Sequence, residues 1–89
     1  MRFEWDTKKA AANLKKHGVS FVSAAEAFAD ELSATFPDPD HAKNEVRLIT
    51  YGLAGNGKLL VVSHTEQGDT IRIISARFAT SHERKRYEI

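Results

Sequence analysis

Between residues 46 and 78 the chain is built of three segments rich in β-branched and aliphatic residues: 46–53, 59–66 and 70–78. Gly55-Asn56-Gly57 separates the first pair, and Gln67-Gly68-Asp69 the second. Connections this short leave no room for a crossover, so neighbouring segments must pair antiparallel as a meander of two hairpins. Alternation then sorts the side chains. With the second turn at Gln67-Gly68, Leu60, Val62 and His64 share a face with Ile71, Ile73, Ser75 and Arg77, and Val61, Ser63, Arg72 and Ile74 share the other. Arg47 and Tyr51 join one set or the other, depending on whether the first turn uses two or three residues. The sequence leaves that register open.

The flanking segments complete an order β-α-α-β-β-β-β-α. Residues 2–5 alternate and predict a short strand. Asp6 predicts the cap of a helix running to about His17 and stopped by Gly18. Ala10, Ala11 and Leu14 are its thin apolar face, so tertiary contact must hold it. Ser20 predicts a second cap, before a helix with Phe21, Ala24, Ala25 and Phe28 on one side. Residues 32–36 predict a strand ended by Pro37-Asp38-Pro39, with a polar loop over 37–45. Thr80 and Glu83 predict a capping box at the last helix. The pattern describes an α+β domain, its antiparallel sheet covered on one face by helices 1 and 2 and partly open on the other. Eighty-nine residues supply one core, so the chain reads as a single domain, 1–89.

Composition narrows the chemistry. There is no cysteine, which excludes disulfides and thiolate catalysis. The four histidines, His17, His41, His64 and His82, lack the spacing of a paired metal site, so neither metal nor cofactor is expected. No apolar run has the length of a membrane span and the N-terminus does not read as a signal peptide, so a cytoplasmic protein is expected. The formal net charge is only +1. Its distribution is uneven: residues 26–45 are acidic, and from residue 46 onward bases outnumber acids. A nearly neutral protein with such a bias can carry a phosphate-binding face.

Arg72 and Arg77 interrupt an otherwise apolar strand, and a guanidinium there needs a carboxylate, a phosphate or water. An ion pair with Glu66, Asp69 or Glu83 satisfies either one alone. Together with Arg47 and the basic run Arg84-Lys85-Arg86, the two favour phosphate binding. His64 is a candidate general acid or base, set against a structural role for a histidine on a strand. Lys16 and His17 end the first helix, where cations complement its dipole and can also reach a phosphate. Tyr87 offers a phenol or packs the last helix on the sheet. Gly55-Asn56-Gly57-Lys58 lacks the strand–loop–helix setting of a phosphate loop and reads as a hairpin turn.

Several stretches resemble the BrnT family of toxins. They are Phe3-Glu4-Trp5-Asp6, residues 9–19 with Asn13 and Lys16-His17-Gly18-Val19, residues 21–28, Asp40-His41, Glu45-Val46-Arg47, Gly52 and Leu59-Leu60-Val61-Val62. The closest match is Arg72-Ile73-Ile74-Ser75-Ala76-Arg77, followed by Ala79-Thr80, Glu83-Arg84 and Tyr87. The resemblance implies a RelE-like fold and metal-independent endoribonuclease activity that inhibits translation. It also implies a cognate BrnA-like antitoxin with a ribbon-helix-helix domain, in a complex that represses its own operon and meets operator DNA only through the antitoxin. Carried over residue by residue, Arg47, Arg72 and Arg77 match the family's basic positions on the sheet, Glu83 and Tyr87 positions on the last helix, and Lys16 and His17 the end of the first helix; His64 is less characteristic of the family. With the reading of the residues themselves, Arg47, Arg72, Arg77, Glu83 and His64 are the catalytic candidates, and Lys16, His17, Arg84 and Tyr87 the RNA-binding ones. Two other readings stand beside it: a non-catalytic module that binds RNA or a partner, and a co-repressor acting only within its antitoxin complex.

Overall fold

A computed structural model describes residues 1–39 and 45–87. The Asp40-His41 stretch of the resemblance and much of the polar loop lie outside the described residues. The element order is β1 (Arg2–Glu4), α1 (Thr7–His17), α2 (Phe21–Glu26) continuing as a 3-10 turn (Ala27–Ala29), β2 (Ala34–Pro37), β3 (Leu48–Leu53), β4 (Leu59–Gln67), β5 (Thr70–Phe78) and α3 (Ser81–Tyr87). The five strands form one sheet in the order β1-β5-β4-β3-β2. Three of its four pairings are antiparallel; β1 departs from the expectation by adding to the edge beside β5 in parallel.

The local signals act as predicted. The Asp6 carboxylate accepts from the amides of Lys8 and Lys9 at 2.8 and 3.2 Å, and Gly18 ends α1 at φ 72°. Ser20 caps α2 through Ser23 N at 3.0 Å. Thr80 and Glu83 close a reciprocal box, at 2.9 Å from Thr80 N to Glu83 Oε1 and 3.2 Å from Glu83 N to Thr80 Oγ1.

Helices α1 and α2 cover one face of the sheet. Phe21, Ala24 and Ala27 pack there on Leu60, Val62, Ile71, Ile73 and Ala76, flanked by Phe3, Trp5 and Phe28. What holds α1 differs from the expectation. Leu14 is 52% exposed and Ala11 is exposed; the residue facing the sheet is Asn13, which is buried. Its Nδ2 donates to Val19 O at 2.9 Å and Ala76 O at 2.8 Å, and its Oδ1 accepts from Ala76 N at 3.1 Å. A satisfied amide thus replaces part of an apolar stripe, fixing the helix to β5 at one point.

A glycine sets how closely the 3-10 turn approaches β3. A Cβ at Gly52 would lie 2.2 Å from Ala27 O, so only glycine fits there. The first hairpin uses three turn residues: Ala54 pairs with Lys58 around Gly55-Asn56-Gly57, and Gly57 takes φ 81°. Tyr51 therefore lies opposite Val61, on the face away from α1 and α2.

Candidate active site

Strict alternation puts Arg72 and Arg77 on opposite faces, and the structure corrects this. Ser63 pairs with Ser75 but His64 pairs with Ile73, so Ile74 is an extra residue in β5. The second turn also falls one residue later than expected, at Gly68-Asp69, with Gln67 opposite Thr70. Ile71 and Ile73 share the helix-covered face with His64, as expected. Beyond the bulge the alternation is reset, and Ser75 and Arg77 fall on the open face with Ser63 and Val61. Arg72, opposite Thr65, is on that face as well. One inserted residue gathers the two arginines.

Helix α3 folds back against the end of the open face. Tyr87 packs with Ile49 and Tyr51 on a small second cluster of Leu59, Val61 and Ala79. Its hydroxyl donates to Asp30 Oδ2 at 2.5 Å, while the same carboxylate group accepts from the amides of Leu32 and Leu53, at 3.0 and 2.8 Å. Asp30, which the sequence did not single out, thereby ties the end of α3 to the β2 and β3 side of the sheet. Burial, reinforced by Asp30, pushes the Tyr87 phenol up to about 12, and its hydrogen bond holds the Asp30 carboxyl below its ordinary value.

The capping box puts Glu83 where Arg77 reaches it. Arg77 donates through Nη1 to Glu83 Oε1 at 2.8 Å and through Nη2 to Oε2 at 3.0 Å, with Nη1 also reaching Phe78 O at 3.2 Å. This bidentate pair holds the Glu83 carboxyl down at about 2 and raises Arg77 further, so both are charged at neutral pH. Tyr51 Oη donates to Glu83 Oε2 at 3.4 Å; burial first, and then Glu83, raises its pKa. Beside them lies a groove of about 460 Å³, whose lining includes Phe36, Ile49, Tyr51, Glu83, Arg86 and Tyr87. The arrangement offers a fixed, partly exposed guanidinium on a floor that is apolar to one side. It can hold an oxyanion, with Glu83 setting the plane of the fork.

The other sequence candidates separate. Arg72 pairs with Glu4 at 3.4 Å, toward the β1 end of the open face, rather than with Glu66 or Asp69. Arg47 precedes β3 and pairs with Glu45 at 3.0 Å. Arg84 is held by Ala79 O at 3.2 Å. Lys16 and His17 end α1 in the opposite layer. His64 is apart from all of these. It is 0% exposed in the helix-covered core, with Nε2 2.7 Å from Thr50 Oγ1 and its ring 4.8 Å from that of Phe28. Nδ1 has no hydrogen bond among the described residues, and Glu66 Oε2 lies 3.5 Å from it. Burial drives its pKa down to about 4, so the ring is neutral. The structural role weighed for a histidine on a strand is the one its placement supports. Among the described residues no group of three or more His, Asp or Glu side chains is gathered to hold a metal, and no helix is long and apolar enough to cross a membrane.

This sheet-and-helix architecture is that of a known class of small ribonuclease. The structure is similar to the 1.1 Å crystal structure of the Brucella abortus ribonuclease toxin BrnT, with a TM-score of 0.70 and 25% sequence identity, over 91% of this chain and 99% of that one. A family model described as the ribonuclease toxin BrnT of type II toxin-antitoxin systems matches residues 5–83. The chain therefore belongs to the BrnT family of ribonuclease toxins. A search among curated proteins finds no match.

Proposed function

We propose that this protein is a metal-independent endoribonuclease that inhibits translation, and that a cognate antitoxin neutralises it by covering the open face of the sheet. The observation that carries the reading is the Arg77–Glu83 pair, a guanidinium fixed by two hydrogen bonds on the face of the sheet that α1 and α2 leave open. In this mechanism the substrate's own 2′-hydroxyl attacks the adjacent phosphorus and the bond to the 5′-oxygen breaks. The products are a 2′,3′-cyclic phosphate and a free 5′-hydroxyl. Arg77 stabilises the charge that gathers on the phosphate, already oriented before the substrate arrives. Glu83, with its pKa near 2, is a weak base, so it positions Arg77 more than it draws the proton. Arg72 holds a flanking phosphate. DNA lacks the nucleophile and is not cut.

The antitoxin, in this reading a BrnA-like ribbon-helix-helix protein, lays an amphipathic segment along the groove beside Tyr51 and Tyr87. Its acidic groups meet Arg77 and Arg86, and the complex represses its own operon. The carboxylates already beside Arg47, Arg72 and Arg77 favour a second reading, a co-repressor module without chemistry. Expression separates the two. Growth arrest that is lost in Arg77→Lys supports the enzyme; arrest unchanged by that substitution, or absent from the wild type without antitoxin, supports the module.

A further inference from the structure

We propose that a cleft at the end of β5, built from Phe78, Lys58 and Arg84, is a subsite for one flanking nucleotide of single-stranded RNA. The inference rests on the ribonuclease reading and gives its substrate a second point of attachment. The cleft measures about 320 Å³ and is lined by the first hairpin, the start of β4, the end of β5 and α3. Phe78, at its wall, is 42% exposed although it ends a strand whose other large apolar residues on that face are buried. Lys58 Nζ lies 5.4 Å from the ring centroid. Arg84 is anchored at the rim by Ala79 O. A Cβ on Gly18 would come within 3.9 Å of the ring, which places the C-terminal end of α1, with Lys16 and His17 in its last turn, alongside.

Charge pairing distinguishes this cleft from the sheet face. Arg47, Arg72 and Arg77 each have a carboxylate within 2.8–3.4 Å, whereas neither Lys58 nor Arg84 has one among the described residues. The nearby acids Glu26 and Asp30 are occupied by the amides of Gly55 and Leu53. Two unneutralised cations beside an accessible aromatic ring match a nucleotide, whose phosphate takes the cations and whose base stacks on the ring. The volume is at the small end of ligand pockets, enough for a nucleotide and too small for a partner's helix. Position fits as well. Arg77 and Phe78 are consecutive and point to opposite faces, so a strand with its scissile phosphate at Arg77 passes over the end of β5 and meets Phe78 next.

The test measures fluorescence anisotropy of the full chain with a short, labelled, 2′-O-methyl single-stranded RNA, which cannot be cleaved, and with the same oligomer made abasic. Phe78→Ala and Lys58→Glu are expected to weaken binding of the base-bearing oligomer about fivefold to a hundredfold. Phe78→Trp should restore it, with quenching of the introduced indole beyond that of Trp5 in the wild type. Removing the bases should weaken binding to the wild type and have no further effect on Phe78→Ala. Wild-type affinity in both weakening variants, in a protein that binds and cuts RNA, overturns the subsite and leaves the ribonuclease reading standing. Equal loss on base removal in wild type and Phe78→Ala also overturns it, since the ring then stacks on nothing. A wild type that neither binds nor cuts RNA overturns both.

Discussion

In the proposed mechanism Arg77 is the residue on which the chemistry turns, and its replacement has to be chosen with Glu83 in mind. Alanine there would leave a half-buried carboxylate at 19% exposure without its partner and loosen α3. Lysine keeps the charge but loses the two-pronged fork. Arg77→Lys should therefore keep its circular dichroism and lower cleavage by about tenfold or more, roughly what one oriented donor contributes. Arg72 lies some four paired positions further along β5, about 13 Å away at strand spacing, too far to share a phosphate. Arg72→Ala should raise KM more than it lowers kcat. His64 gives a different, purely structural, prediction. Its folded pKa, about 4, is below the ordinary value of 6.5, so the unfolded chain binds the extra proton first. The stability contributed by the neutral ring is fully present above pH 6.5 and is lost as pH falls toward 4. The loss is on the order of 3 kcal/mol at most, reduced by Glu66 once the ring is charged. His64→Gln should flatten thermal stability over that window and leave RNA cleavage at neutral pH unchanged.

At the level of elements, the caps and turns were legible because each depends on one or two residues in a fixed local relation: Asp6 and Gly18 for α1, Ser20 for α2, Thr80 and Glu83 for α3. The open face was not fully legible. Its composition hangs on a single extra residue at Ile74, and Ile73-Ile74 gives no turn chemistry to mark a bulge. Hence both arginines were identified as candidates while their common face was not. Likewise the parallel pairing of β1 and the anchoring roles of Asn13 and Asp30 involve partners far apart in sequence, such as Asn13 with Ala76. The close approach at Gly52 predicts that Gly52→Ala costs about 3 kcal/mol or more, seen as a lowered urea midpoint, because its methyl would enter backbone rather than a movable side chain. Thr80→Ala should cost about 1 kcal/mol by losing the cap. It should also reduce cleavage, since Glu83 then orients Arg77 less firmly; unchanged activity would detach the capping box from the site.

Among the described residues the large apolar core lies under α1 and α2 and a small cluster beneath α3, so the face that carries Arg77 and Glu83 is the thinly covered one. That shape suits the proposed control by a partner from outside. An antitoxin binding this face should compete with a non-cleavable RNA and raise the toxin's Tm by mass action, and its association rate should fall with salt. A stable ternary complex without mutual weakening would place the antitoxin elsewhere. The family, read first from motifs spread along the chain, is shown by a match over residues 5–83; the chemistry is the claim still to be measured. The direct measurement is incubation of purified toxin with RNA in excess chelator, wild type beside Arg77→Lys, followed by analysis of the cut ends. The account predicts cleavage by the wild type with 5′-hydroxyl and 2′,3′-cyclic phosphate ends, and strongly reduced cleavage by the variant. Cleavage that disappears in chelator and returns with a divalent ion, or products carrying 5′-phosphates, would contradict it.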